Sequence, residues 1–169
     1  VDKETKIAFG GGCHWCTEAV FQSLKGVKEV AQGFVASINE NSTFSEAVVV
    51  HFNSEKISLK TLVEVHLLTH KSTSNHSMRK KYRSAIYTFS DTQKLLIEEV
   101  MRYFKSKSAV EIITQILDFK EFKPSEKQFK NYYYTNPKKP FCEKFINPKL
   151  QLLQERFSKQ LKTEHQNHL

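Results

Sequence analysis

Cysteine is scarce in this chain of 169 residues, which has only Cys13, Cys16 and Cys142. Three cysteines cannot all pair within one chain, and a domain of this length needs no disulfide framework, so thiol chemistry is the better reading. Long apolar runs are missing as well, and none approaches the ~20 residues of a membrane span. No signal-peptide pattern opens the chain, because Val1-Asp2-Lys3-Glu4 is charged and the apolar run after it is short. A soluble, cytoplasmic protein is expected, although the start at Val1 leaves room for a removed targeting segment. No zinc-finger, RNP-like or basic-zipper pattern accompanies the net charge of +8, so the scattered lysines read as solubilising and nucleic-acid binding is not expected. Internal repeats and domain-sized linkers are also absent. With 39% hydrophobic and 12% aromatic residues the chain is globular, not disordered. The expected organisation is one catalytic domain over residues 1–161 and a polar tail over 162–169, in a monomer.

Three of the five glycines stand together in Gly10-Gly11-Gly12-Cys13-His14-Trp15-Cys16-Thr17-Glu18. The apolar run before them reads as a strand. The segment after them takes up helical spacing. Glycines permit a tight strand-to-helix turn, which places Cys13 in the first turn of a helix. There the free N–H groups and the dipole favour a thiolate. Glu18, five residues on, can approach Cys13, and Trp15 offers an apolar wall that would raise its pKa and make it a proton donor.

Gly-Gly-Cys-aromatic-Trp-x-x-Glu after the first strand resembles the signature of the A-type peptide methionine sulfoxide reductases. The resemblance implies that Cys13 attacks the sulfoxide sulfur, Glu18 protonates the departing oxygen, and His14 and Trp15 cup the substrate methyl. Tyr82-Arg83-Ser84-Ala85-Ile86 resembles a second family segment, whose Tyr hydroxyl assists the sulfoxide oxygen. Glu46, at the start of a β-branched run, resembles the family's second active-site acid. Three positions depart from the family: His14 replaces a Phe, Phe34 a Tyr that helps hold the oxygen, and Ser77 an Asp five residues before Tyr82. Phe129 also stands where a helical His is usual. The resemblance implies a sulfenic acid on Cys13, a disulfide to a resolving thiol (Cys16 by preference, Cys142 as the alternative), and recycling by a thioredoxin-like reductant. It implies no metal or organic cofactor. The substrate would be the S-epimer of methionine sulfoxide, free or in proteins. Two alternatives stay open: a thiol–disulfide oxidoreductase using Cys13 and Cys16, or a catalytically weakened sulfoxide-binding relative.

The remaining chain fits this frame. Ser58 caps a helix whose apolar face carries Leu59, Leu62, Val63, His66 and Leu67. His66 and His70 stand four apart on it, but the zinc-protease pattern lacks its Glu, so a packed helix is the reading. Asp91 opens a helix to Phe104 with Leu95, Ile97 and Val100 as core candidates. Residues 110–116 are strand-like, and a last helix reaches about Leu161. The pattern predicts an α+β fold. The resemblance sharpens it to a two-layer α/β plait (a ferredoxin-like core) with extra C-terminal helices.

Overall fold

Along β1 (Glu4–Gly10), Ile7 and Phe9 enter one apolar cluster and Ala8 another. Along β3 (Ser45–Asn53), Val48, Val50 and Phe52 join the first cluster, and Ala47 and Val49 the second. Successive strand side chains leave a sheet on opposite faces, so these strands are covered on both sides, and they pair antiparallel near the centre of a six-stranded sheet. The computed structural model describes residues 4–162. Its other elements are α1 (His14–Gln22), β2 (Val27–Ala36), α2 (Leu59–Thr69), β4 (Ala85–Thr88), α3 (Asp91–Lys107), β5 (Gln115–Asp118), β6 (Glu121–Pro124), α4 (Tyr132–Thr135) and α5 (Asn147–Phe157). The sheet order is β5-β4-β1-β3-β2-β6, antiparallel except for the parallel β4–β5 edge. The βαββαβ run through β4 therefore has the arrangement of a split plait. The larger cluster lies under α1, α2, α3 and α5. The smaller packs Val35, Ala85 and Tyr87 against Phe89, Phe119 and Phe122 on the other face.

The predicted cap is present, Ser58 Oγ accepting from Thr61 N, and Ser90 caps α3 in the same way, its Oγ accepting from Gln93 N. Several expectations are corrected. Leu95 is 66% exposed, because the buried stripe of α3 runs through Gln93, Ile97 and Met101. Gln93 earns its place on that stripe by accepting from Phe89 N and donating to Lys6 O. The strand read over 110–116 begins only at Gln115, where it meets β4. β6 has no counterpart in the sequence reading: four residues ending in Pro124 are too short for periodicity, and a proline suits an edge strand. The last helix ends at Phe157 and a single tighter turn carries it to Gln160. Residues 163–169 of the expected tail lie outside the described residues. Among the described residues, no helix is long and apolar enough to cross a membrane.

The Tyr82-Arg83-Ser84 segment is fixed by Arg83, which is buried. Its guanidinium donates to Val35 O (3.2 Å), Thr43 O (2.9 Å) and Tyr87 Oη (3.1 Å), and its backbone N–H donates to Ser45 Oγ (2.7 Å). Arg83→Met keeps the bulk but strands these acceptors. It is expected to cost about 2–3 kcal/mol, read as a lowered urea midpoint with an unchanged slope.

Candidate active site

The turn between β1 and α1 is built to hold Cys13. A Cβ on Gly10 would lie 2.9 Å from Glu46 O and 3.0 Å from Arg83 O, where neighbouring backbone crosses it. Gly11 has φ +155°, and a Cβ there would meet the His70 ring at 2.4 Å. Gly12 has open space around it and carries no such demand. His66 and His70 support this turn from α2. His66 Nε2 donates to Gly10 O at 2.8 Å. His70 stacks on His66 and accepts at Nε2 from Ser84 Oγ at 2.8 Å while Nδ1 faces His66 O. Burial lowers both imidazoles, that of His70 to about 4, so both are neutral at pH 7. Arg79 adds a third support, donating to Gly11 O (2.9 Å) and Tyr82 O (2.8 Å). Nothing local to Arg79 in the sequence reveals these carbonyls, one of which comes from the β1–α1 turn 68 residues away.

Cys13 is the N-cap of α1, with its carbonyl accepting from Cys16 N and Thr17 N. Its thiol is held below the usual range. The Cys16 thiol contributes most, and the Trp15 and Cys16 N–H groups help, against opposing contributions from burial and from Glu46. Cys16 is pushed far up by the same partnership and by burial, so it is the thiol that keeps its proton. Cys142, also buried, opens a single π-helical turn (Cys142–Ile146) leading into α5. All three cysteines are free. Cys13 and Cys16 open onto a cleft of about 430 Å³ lined also by Gly11, His70, Met78, Tyr82, Phe141, Phe145 and Lys149. Tyr82 thus lines the same cleft as the Cys13 thiol.

His14 and Glu46 lie together at the head of α1. Glu46 Oε1 accepts from His14 N at 3.1 Å and lies 3.4 Å from His14 Nε2, while Lys81 Nζ is 3.8 Å from Oε2. His14 Nδ1 is 2.7 Å from Gly33 O, a carbonyl that only accepts, so Nδ1 bears a hydrogen. Nε2 of the neutral ring is then bare toward Glu46, and one shared proton turns that contact from repulsive to attractive. Burial lowers the pKa of His14, against the opposing attraction of Glu46 and the hydrogen bond to Gly33 O. Glu46 is buried. Phe34 pairs with Glu46 across β2–β3 and meets the His14 ring edge-on at 5.1 Å between centroids.

Glu18 does not reach the thiol's cleft. Its carboxylate turns away: Oε1 accepts from Gln32 Nε2 and Tyr132 N, each at 3.1 Å, and Oε2 from Asn131 N at 2.9 Å. It borders a separate hollow with Gln22, Gln32, Pro124 and Asn131. Burial does raise its pKa, as expected of a donor, against these three hydrogen bonds. The position is what differs, because five residues along a helix carry Glu18 well round from Cys13. Trp15 is enclosed by Tyr132 and Phe129, stacked at 4.3 and 5.5 Å, and by the edge of Phe141 at 5.2 Å. Ser77 is exposed, although its neighbours His76 and Met78 line the cleft. Gln32, Phe141 and Lys149 come from three distant stretches that carry no local signal in sequence, and Tyr132 belongs to the aromatic Tyr132-Tyr133-Tyr134 run.

Known proteins resemble this chain in sequence and in fold. The sequence model described as peptide methionine sulfoxide reductase matches residues 5–162. The peptide methionine sulfoxide reductase MsrA of Trichodesmium erythraeum is 34% identical, covering 92% of this chain and 97% of its own. Reduced Mxr1 from Saccharomyces cerevisiae superposes with a TM-score of 0.73 at 21% identity, covering 83% of this chain and 90% of its own. Mxr1 in complex with Trx2 superposes with a TM-score of 0.61 at 22% identity, covering 75% and 84%. The chain belongs to the peptide methionine sulfoxide reductase family.

Proposed function

We propose that this protein reduces methionine-S-sulfoxide, free or in proteins, with Cys13 as nucleophile, Glu46 as proton donor and Tyr82 as a second contact to the sulfoxide oxygen. The observation that carries the reading is geometric: the Cys13 thiol, held below its ordinary range, stands at the N-cap of α1 and opens onto the cleft that Tyr82 lines, and the buried Glu46 carboxyl accepts from the N–H of the next residue, His14. Cys13 sulfur bonds to the sulfoxide sulfur as the oxygen takes a proton from Glu46. The S–O bond then breaks, the oxygen bonds to Cys13 sulfur, and the Cys13–methionine sulfur bond breaks with its electron pair leaving on methionine, so Cys13 is left as a sulfenic acid. Phe34, Tyr82 and the wall around Trp15 shape the pocket. Glu18 has a positioning role, tying the 129–132 segment, and with it Tyr132, to α1. The test is single-turnover methionine release from each pure sulfoxide epimer. Release from the S-epimer alone is expected, and release from neither would overturn the proposal.

Cys16 resolves the sulfenic acid. Its thiol already faces Cys13 one turn along α1, and attack there expels water and leaves a Cys13–Cys16 disulfide. A dithiol reductant of the thioredoxin type then supplies two electrons. Exchangeable thiols of this kind suit a reducing compartment such as the cytoplasm. Cys16→Ser is expected to leave single turnover within about twofold but to cut thioredoxin-dependent cycling at least tenfold or so, with the sulfenic acid trapped by dimedone. Mass mapping that finds a Cys13–Cys142 bond would give the role to Cys142.

A further inference from the structure

The cleft around Cys13 is cationic and apolar in its lining. Lys71 and Lys149 line it beside His70 and His76, and among the described residues lining it there is no Asp or Glu. Lysines also lie across aromatic rings at its rim: Lys81 Nζ is 5.1 Å from the Tyr82 ring centroid, Lys139 Nζ is 4.0 Å from that of Tyr132, and Lys144 Nζ is 5.3 Å from that of Phe145. Tyr82 and Phe145 line the cleft, and Tyr132 stacks on Trp15. An ammonium resting on a ring face loses less freedom on binding than a swinging one, and its remaining donors point outward. Between these charges Met78 and Phe145 are 51% and 46% exposed, an apolar floor among cations.

We propose that the substrates of this enzyme are oxidised methionines flanked by acidic residues, with the lysine ring around the cleft as the specificity-determining element. The inference rests on the sulfoxide-reductase reading and names its substrate class. The sulfoxide enters toward Cys13 and Tyr82, the aliphatic parts of its neighbours lie on Met78 and Phe145, and carboxylates one or two residues away meet Lys71, Lys139 and Lys144. Glu143 is the rim's exposed acid, and it sits between Lys139 and Lys144 in sequence without cancelling them. A nucleic acid fits less well, because the cations surround a pocket that holds a thiol instead of following a groove. Lys149 donates to Thr69 O and Lys81 pairs with Glu46, so both serve the site's own structure, whereas Lys71 and Lys144 are exposed.

The test compares three otherwise identical peptides carrying one methionine-S-sulfoxide flanked by Asp, Gln or Lys, with dithiothreitol as reductant so that no protein partner intervenes. At low salt the Asp peptide is expected to exceed the Lys peptide about tenfold in kcat/KM, mostly through KM. That ratio should shrink to about twofold at 0.5 M salt as the charges are screened. In Lys71→Glu/Lys144→Glu the ranking of Asp and Lys peptides should reverse, with the Gln peptide as the internal reference. Equal kcat/KM for all three peptides at low salt would overturn the inference while leaving sulfoxide reduction standing. Absence of turnover on the Gln peptide would instead strike the parent reading. A double variant that slows thioredoxin-driven cycling while leaving the peptide ranking intact would assign the ring to the reductant and overturn it too.

Discussion

Cys13→Ser is expected to abolish methionine release in single turnover, by at least ~10³-fold, without loss of fold. Serine is a good N-cap, so α1 keeps a residue able to cap it and the variant should unfold within about 1 kcal/mol of the parent. The chemistry is lost for two separate reasons. A hydroxyl at this site stays protonated, whereas the Cys13 thiol is drawn below its ordinary range by the Cys16 thiol and the N–H groups of Trp15 and Cys16. Serine also cannot take the oxygen, because only sulfur can give up two electrons here and become a sulfenic acid. The same arrangement fixes a pH signature. Alkylation of Cys13 by iodoacetamide should reach half its limiting rate at a lower pH than a free thiol does. Cys16→Ala removes the largest stabiliser, so the midpoint should move upward. An unmoved midpoint would show that the helix start alone activates the thiol.

The setting of Cys13 was legible in sequence because it depends on local causes: a strand, a glycine turn and a helix start within nine residues. Gly11 against His70 and Cys13 at the N-cap bear that out. The βαββαβ core was legible for a similar reason, since β1, β2 and β3 carry long apolar or β-branched runs, and α2 carries a cap and a clear apolar face. What escaped depends on long-range contact. Glu18 and Glu46 look alike in sequence, and proximity in the chain favoured Glu18. Tertiary structure instead brings Glu46 across from β3 to His14, 32 residues away. Arg79 looks like one of three adjacent surface cations until the carbonyls it holds are known. β6 and the 129–132 segment are too short to show a period, and both are placed by partners, β2 for one and Glu18 for the other.

Glu46→Gln and Glu18→Gln should therefore separate cleanly. Loss of the proton donor at Glu46 is expected to lower kcat for methionine release about 10²–10⁴-fold with little change in KM. The amide can still accept from His14 N, so the head of α1 should stay formed. Glu18→Gln should do the opposite. One amide oxygen can serve two of the three donors that now share the carboxylate, and its NH₂ must face the third, which costs about 1–2 kcal/mol of stability. Part of that cost is offset because a neutral amide removes the burial penalty that raises the Glu18 pKa. Per folded molecule, kcat should fall no more than about threefold, through looser seating of Tyr132 against Trp15. A large kcat loss at Glu18 with full activity at Glu46 would return the donor role to α1. It would also require the carboxylate to leave the 129–132 backbone during turnover, a movement that hydrogen exchange at Asn131 and Tyr132 would register.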